Sequence, residues 1–309
     1  MYTQRMFAPP PIVPTTVFAR IPEKYSKIGQ KSQFVEVMFR GRPTAHFIEG
    51  PSFDLEGNLW IVDIPYGRLF KIDQQGNVSL AFEYDGEPNG LKFHKDGRAF
   101  IADHKNGIMV FDPKKETIST VLDRPVCQRL KGVNDLIFAS NGDLYFTDQG
   151  QSGLQDPSGR LYRLRTNGQL DCVLNNVPSP NGLVLTRDET AVLLAATRAN
   201  AVWRVPLMVD GTASKVGNYI QMSGGAGPDG MALDSEGSLA VCHARMGCVW
   251  LFDEYGEPIA RVNSCADRGT TNCAYGGADN DKLYITESDT GTILVAQLTK
   301  PGNRMYSHQ

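Results

Sequence analysis

The chain has 309 residues, 41% of them hydrophobic and 21% charged, and a formal net charge of -3 at pH 7. That balance is ordinary for a globular protein and supplies no basic face for nucleic acid. No apolar run reaches the roughly twenty residues that span a bilayer, and the opening MYTQRMFAPPPIVP lacks the apolar stretch of a secretory signal, so a cytoplasmic protein without a membrane partner is expected.

In chain order, Thr15 to Ile21 (TTVFARI) has the composition of a strand but stands outside any repeat. Residues 22 to 45, rich in Lys, Arg, Gln and Gly, read as an insertion with a short helix over one face. From residue 46 a repeat begins. Five segments share one pattern: EGPSFDLEGNLWIVD, PNGLKFHKDGRAFIAD, VNDLIFASNGDLYFTD, PNGLVLTRDETAVLLAA and PDGMALDSEGSLAVCH. Their alignment puts Glu49, Asn89, Asn134, Asn181 and Asp229 in one register, separated by 40, 45, 47 and 48 residues. Eight residues after each comes a hairpin turn, at Gly57, Gly97, Gly142, Glu189 and Gly237. Such turns favour residues that tolerate positive φ. The sixth copy, CAYGGADNDKLYITE, places Cys273 in the register and Asp281 at the turn.

A third strand follows in every copy (GRLFKID, GIMVFD, GRLYRL, AVWRV, CVWLFD and TILVAQL), and a fourth in all but the last, as in VSLAFEY, TISTVLD and PIARVNS. Four-stranded repeats of this length indicate propeller blades. The expected fold is therefore all-β, a six-bladed β-propeller with four-stranded blades around a central channel. One domain covers 1–309, with the blades in 46–298 and a tail in 299–309. The strand at 15–21 completes the last blade and removes an open sheet edge. The six cysteines, at 127, 172, 242, 248, 265 and 273, have no CxxC spacing and read as buried free thiols.

The shared register forms a ring on the channel axis: Glu49, Asn89, Asn134, Asn181, Asp229 and Cys273. Turn chemistry explains an Asn-Gly or Asp-Gly pair singly, but not Glu49 before Gly-Pro. Two carboxylates and three amides in a narrow channel need a compensating charge, and a divalent cation is the simplest. The hard oxygen donors favour Ca²⁺, with Mg²⁺, Mn²⁺ or Zn²⁺ as alternatives. Cys273 is soft and reads as packing. A second ring fourteen residues on, Asp63, Asp103, Asp148, Ala195, His243 and Glu287, reads as caps on the blade turns. Asn89, Asn134, His104, Tyr66 and His243 are candidate substrate contacts, with Gln149 and Arg198 as further candidates for the pocket wall.

These motifs resemble the SMP-30/gluconolactonase family, also called the regucalcin family. The likeness rests on EGP at Glu49, VNDL at Asn134 followed by GDLYFTD, SPNGL at Asn181, PDGMALD at Asp229 and TNCAYGG near the end, and it runs from about residue 46 to 298. It implies a metal held by Glu49, Asn181 and Asp229, with Asn134 on metal or substrate and Asp229 as the acid/base group. Sugar-lactone members can carry an Arg two residues before the third-blade Asn, where this chain has Gly132. The expected activity is metal-dependent opening of a small-molecule lactone by a monomer or small homo-oligomer. The alternatives are another ester or phosphotriester as substrate, or a non-catalytic calcium-binding propeller.

Overall fold

The computed structural model describes residues 9–309. Six sheets contain all of the described strands, with four antiparallel strands in each ordered outward from one innermost strand. The innermost strands are Ile48–Phe53, Pro88–Phe93, Val133–Phe138, Pro180–Leu185, Gly227–Leu233 and Thr270–Gly276. Each blade is apolar on both faces, and the blades are held by the clusters between them. Trp60, Val62 and Leu69 of blade one meet Leu91, Phe93 and Ile101 of blade two. Blade one also meets blade six, through Phe53, Ile61 and Phe70 against Ala274, Tyr284 and Ile293. Each large side chain so buried contributes roughly 1.5–3 kcal/mol, the main force for closing the ring.

The hairpin turns fall where the repeat requires them. Gly57, Gly97, Gly142, Gly237 and Glu189 all have positive φ. In blade six that role belongs to Asn280, at φ 55, and not to Asp281. An aspartate commonly sets up the turn. The Asp54 carboxylate accepts from the backbone of Glu56 (3.1 Å) and Asn58 (2.8 Å), and Asp234 does the same for Glu236 and Ser238.

The expected closing strand is present as Thr16–Arg20, antiparallel to Thr292–Gln297. Ala19 lies in the cluster between blades six and one, and Phe18 meets Tyr284 edge-on at 5.0 Å. A strand absent from the sequence reading, Ile12–Pro14, adds a parallel fifth strand to blade five. The 22–45 insertion contains α1 (Gln33–Phe39), capped by the Ser32 hydroxyl and ended by Arg40 in the left-handed region. Ser32 also donates to the Pro65 carbonyl at 2.8 Å, which ties the helix to blade one. The tail crosses the far end of the channel, where Tyr306 stacks on Phe138 at 5.1 Å. All six cysteines are free, but only Cys242, Cys248 and Cys273 are buried, whereas Cys127, Cys172 and Cys265 are exposed. No helix among the described residues is long and apolar enough to cross a membrane.

Closure by the N-terminal strand can be measured. Ala19 is 5% exposed and Val17 is 47% exposed on the same strand. Ala19→Asp is expected to cost more than about 2 kcal/mol in denaturant unfolding, because it buries a carboxylate without a partner. Val17→Asp should stay within about 0.5 kcal/mol of the parent.

Candidate active site

Strand pairing defines the ring. In the six blades Ile48, Pro88, Val133, Pro180, Pro228 and Thr270 pair with Asp63, Asp103, Asp148, Ala196, His243 and Glu287. The next residue in each is the ring member: Glu49, Asn89, Asn134, Asn181, Asp229 and Thr271. Two sequence assignments are thereby corrected. Thr271 takes the place expected for Cys273, which packs in the core beside Leu283 and Ile285. In the outer ring Ala196 takes the place of Ala195.

All six ring members line the floor of one cavity of about 560 Å³ at the mouth where the innermost strands begin. Beneath them the next residue is glycine in four blades, Asp135 in the third and Asn272 in the sixth. A Cβ on Gly50 would fall 2.3 Å from the Asn89 carbonyl oxygen, and one on Gly182 would fall 2.4 Å from that of Asp229. Cβ atoms on Gly90 and Gly230 would strike the side chains of Asp135 and Asn272 at 2.5 and 2.0 Å. Gly90, Gly182 and Gly230 do not have positive φ, so these Asn-Gly and Asp-Gly pairs serve axial packing and not turns. The space they vacate is filled by Asp135 and Asn272, which the sequence reading missed.

Asn272 Nδ2 donates to Glu49 Oε2 at 2.7 Å, and the Gly50 amide donates to the same oxygen at 2.6 Å. Oε1 is then the oxygen available to a ligand. Asn134 Nδ2 donates to Gln149 Oε1 at 3.1 Å, and Gln149 in turn donates to Ser179 at 3.0 Å. That chain turns the Asn134 carbonyl oxygen free of its neighbours.

The electrostatics are one-sided. Burial pushes the Glu49 carboxyl well above the usual carboxylate range, and Asp229 adds to the shift against the pull of the Gly50 amide. Asp229 is pushed up to about 7, first by burial and then by Asp135, while the Asn181 amide and Arg198 oppose. Burial also raises Asp135, with Lys92 opposing from below. Among the described residues no group of three His, Cys, Asp or Glu side chains is placed to hold a metal alone. A cation here must draw on the Asn amide oxygens together with Glu49 and Asp229, a hard donor set suited to Ca²⁺ or Mg²⁺.

The other expected contacts divide. His104, Gln149 and Arg198 line the cavity. Tyr66 and His243 are not brought to it. The Tyr66 hydroxyl donates to the Thr44 carbonyl at 2.5 Å. His243 is 1% exposed, with Nε2 3.0 Å from the Gly224 oxygen and Nδ1 accepting from Trp250 at 3.2 Å. The outer ring caps loops as expected. Asp63 accepts from the Phe47 amide (2.6 Å), Asp148 from Gly132 (2.9 Å) and Glu287 from Gly269 (3.0 Å). Neither Arg129 nor Lys131 replaces an arginine at Gly132: Arg129 is exposed, and the Lys131 amine donates to the Ser158 carbonyl at 3.0 Å.

Fold and floor together define a six-bladed propeller with an acid-and-amide ring at one channel mouth. Residues 47–289 match the SMP-30/Gluconolactonase/LRE-like region, and the chain belongs to that family. Lactonase drp35 of Staphylococcus aureus is 30% identical over 230 residues, covering 70% of this chain and 69% of that protein. Lactonase drp35 of Staphylococcus epidermidis is 31% identical over 230 residues with the same coverage. Among solved structures, a calcium-binding regucalcin from Agrobacterium tumefaciens superposes with a TM-score of 0.76 at 20% identity, covering 97% of this chain and 99% of that one. A gluconolactonase from Xanthomonas campestris gives 0.73 at 22% identity, covering 82% and 87%.

The crowded carboxylates predict an unusual pH dependence without metal. A carboxyl whose folded pKa is raised contributes stability that is full below its unfolded value, about 4, and is lost as pH rises through the folded value. Chelator-treated protein should therefore gain thermal stability as pH falls from about 7 toward about 4, through Asp229. His46, His104 and His243, whose pKa values burial lowers, oppose this on the acid side. In Asp229→Asn the part of the gain that Asp229 supplies should vanish, leaving the smaller rise due to Glu49 and Asp135; an identical pH profile of Tm in both proteins would contradict the assignment.

Proposed function

We propose that this protein is a metal-assisted lactonase whose floor residues Glu49, Asn181, Asp229 and Asn134 hold one divalent cation, Ca²⁺ in the first instance. The observation that carries the reading is the pair of proton-hungry carboxylates at the base of an open cavity. Family membership and the lactonase relatives support the substrate class. When bound, the cation would supply a Lewis acid to the lactone carbonyl and offset the clustered negative charge.

The chain's own groups then have distinct tasks. Glu49 is 4% exposed and tied through Oε2, so it serves as a fixed anionic ligand. Asp229 is less enclosed, and it would take a proton from an attacking water through the oxygen not engaged with the cation. Asn134, oriented by Gln149, presents an amide at the floor, where it positions the ester group. Arg198 at the rim favours the carboxylate product and tempers the extra basicity that burial and Asp135 give Asp229. The mouth is open and not plugged by side chains, which favours turnover over a purely ion-holding role.

Acid release from a panel of γ- and δ-lactones, followed in a pH-stat, tests the reading. Activity should disappear with chelator and return with Ca²⁺. Asp229→Asn should lose at least about a hundredfold in kcat, and Glu49→Gln should weaken Ca²⁺ binding measured by calorimetry. Full turnover by metal-free protein would refute the proposal.

A further inference from the structure

The insertion at residues 22–45 precedes the family match, which begins at residue 47. It nevertheless builds one wall of the cavity. Phe34, Met38 and Phe39 of α1 line the space together with Phe47 and Ile64 of blade one. The three phenylalanine rings form a triangle, with centroids 6.0 Å apart for Phe34 and Phe39, 5.1 Å for Phe39 and Phe47, and 6.4 Å for Phe34 and Phe47. Phe34 is buried and anchors the triangle, whereas Phe39 and Phe47 are half-buried. The wall is fixed by the Ser32 cap and its bond to Pro65.

His104 extends this apolar wall. It meets Phe34 edge-on at 6.3 Å. Its ring also lies over Gly132, where a Cβ would fall 2.3 Å from Cε1, 2.6 Å from Nδ1 and 2.8 Å from Nε2. Gly132 has φ +147, so a side chain there is strained as well as obstructed. Burial lowers the His104 pKa and keeps the imidazole neutral. The remaining lining includes polar side chains, Gln149, Gln151, Arg198 and Arg245, of which Gln151 reaches Met38 of α1 at 3.6 Å. The cavity therefore has one aromatic face above a floor of carboxylates and amides.

From this arrangement we infer that the substrate is a lactone bearing an apolar alkyl or aryl substituent, with Phe34, Phe39 and Phe47 determining specificity and His104 over Gly132 bounding the aromatic face. The inference rests on the lactonase reading. With the ester at the floor, a substituent reaching α1 exchanges water for aromatic carbon and gains binding. A hydroxyl set against the phenylalanine rings loses its water hydrogen bonds without replacement.

Three probes on the Ca²⁺-loaded full chain test it: γ-nonalactone, unsubstituted γ-butyrolactone and D-glucono-δ-lactone. The expected kcat/KM for γ-nonalactone exceeds that for γ-butyrolactone by at least about tenfold, with gluconolactone the poorest. Phe39→Ser should cut the nonalactone-to-butyrolactone ratio about tenfold or more, while Phe39→Leu keeps it within about threefold. Thermal melts of both variants establish that they fold. A preference for gluconolactone, or a ratio that Phe39→Ser leaves intact in folded protein, overturns the inference. Calorimetric titration with the same three probes reads the preference as a ratio of Kd values without turnover. Failure to open any lactone with the nonalactone binding preference present would reject the lactonase reading alone; equal binding of the three would reject the apolar wall.

Discussion

Glu49, Asp135 and Asp229 converge where the innermost strands start, and each is enclosed enough that burial favours its protonated form. Like charges so close in a poorly solvated channel cannot all ionise unless something positive sits among them. Much of the surrounding structure serves that concentration of charge. Glycines at 50, 90, 182 and 230 let the strands approach until backbone atoms or the side chains of Asp135 and Asn272 occupy the space of a Cβ. Asn272 is held in that space and steadies Glu49 from the side.

Keeping such a site in place requires a rigid frame. The outer ring supplies part of it: Asp63, Asp103, Asp148 and Glu287 accept from the amides of loops leading into the innermost strands. Each buried carboxylate satisfies loop N–H groups that would otherwise be left unpaired. His243 does comparable work through a carbonyl and an indole. The frame is completed by the N-terminal strand in blade six, so that opening any one blade must disturb apolar packing on both its sides.

Floor and wall have different origins in the chain. The floor comes from the starts of six equivalent strands, whose geometry repeats with the blades. The aromatic wall comes mainly from α1, which is not part of any blade and lies outside the family match, with Phe47 added at the entry to blade one. Charge chemistry and substrate choice are thus carried by separate segments. Changes in the insertion can alter what fits without moving the carboxylates.

The blade count, five of the six turn positions, the closing strand and five of the six ring members follow from sequence alone, because local hairpin geometry repeats with the same residue spacing. The sixth member was displaced because blade six has a longer first hairpin: Thr271 is 16 residues before Glu287, where Glu49, Asn134 and Asp229 are each 14 before their partners. Counting back from the turn therefore reached Cys273. Asp135 and Asn272 left a readable trace, the two places where the glycine after the ring residue is missing, yet their effect depends on contact across the axis. Tyr66 follows a second strand and His243 lies near the end of one, as cavity residues do, and only the direction of their side chains separates them. The wall of Phe34, Phe39 and Phe47 was decided by tertiary structure alone, since no spacing within residues 22–45 shows which channel mouth the helix covers. Periodicity records contacts between neighbours in a repeat; a segment outside the repeat is placed by packing with distant residues.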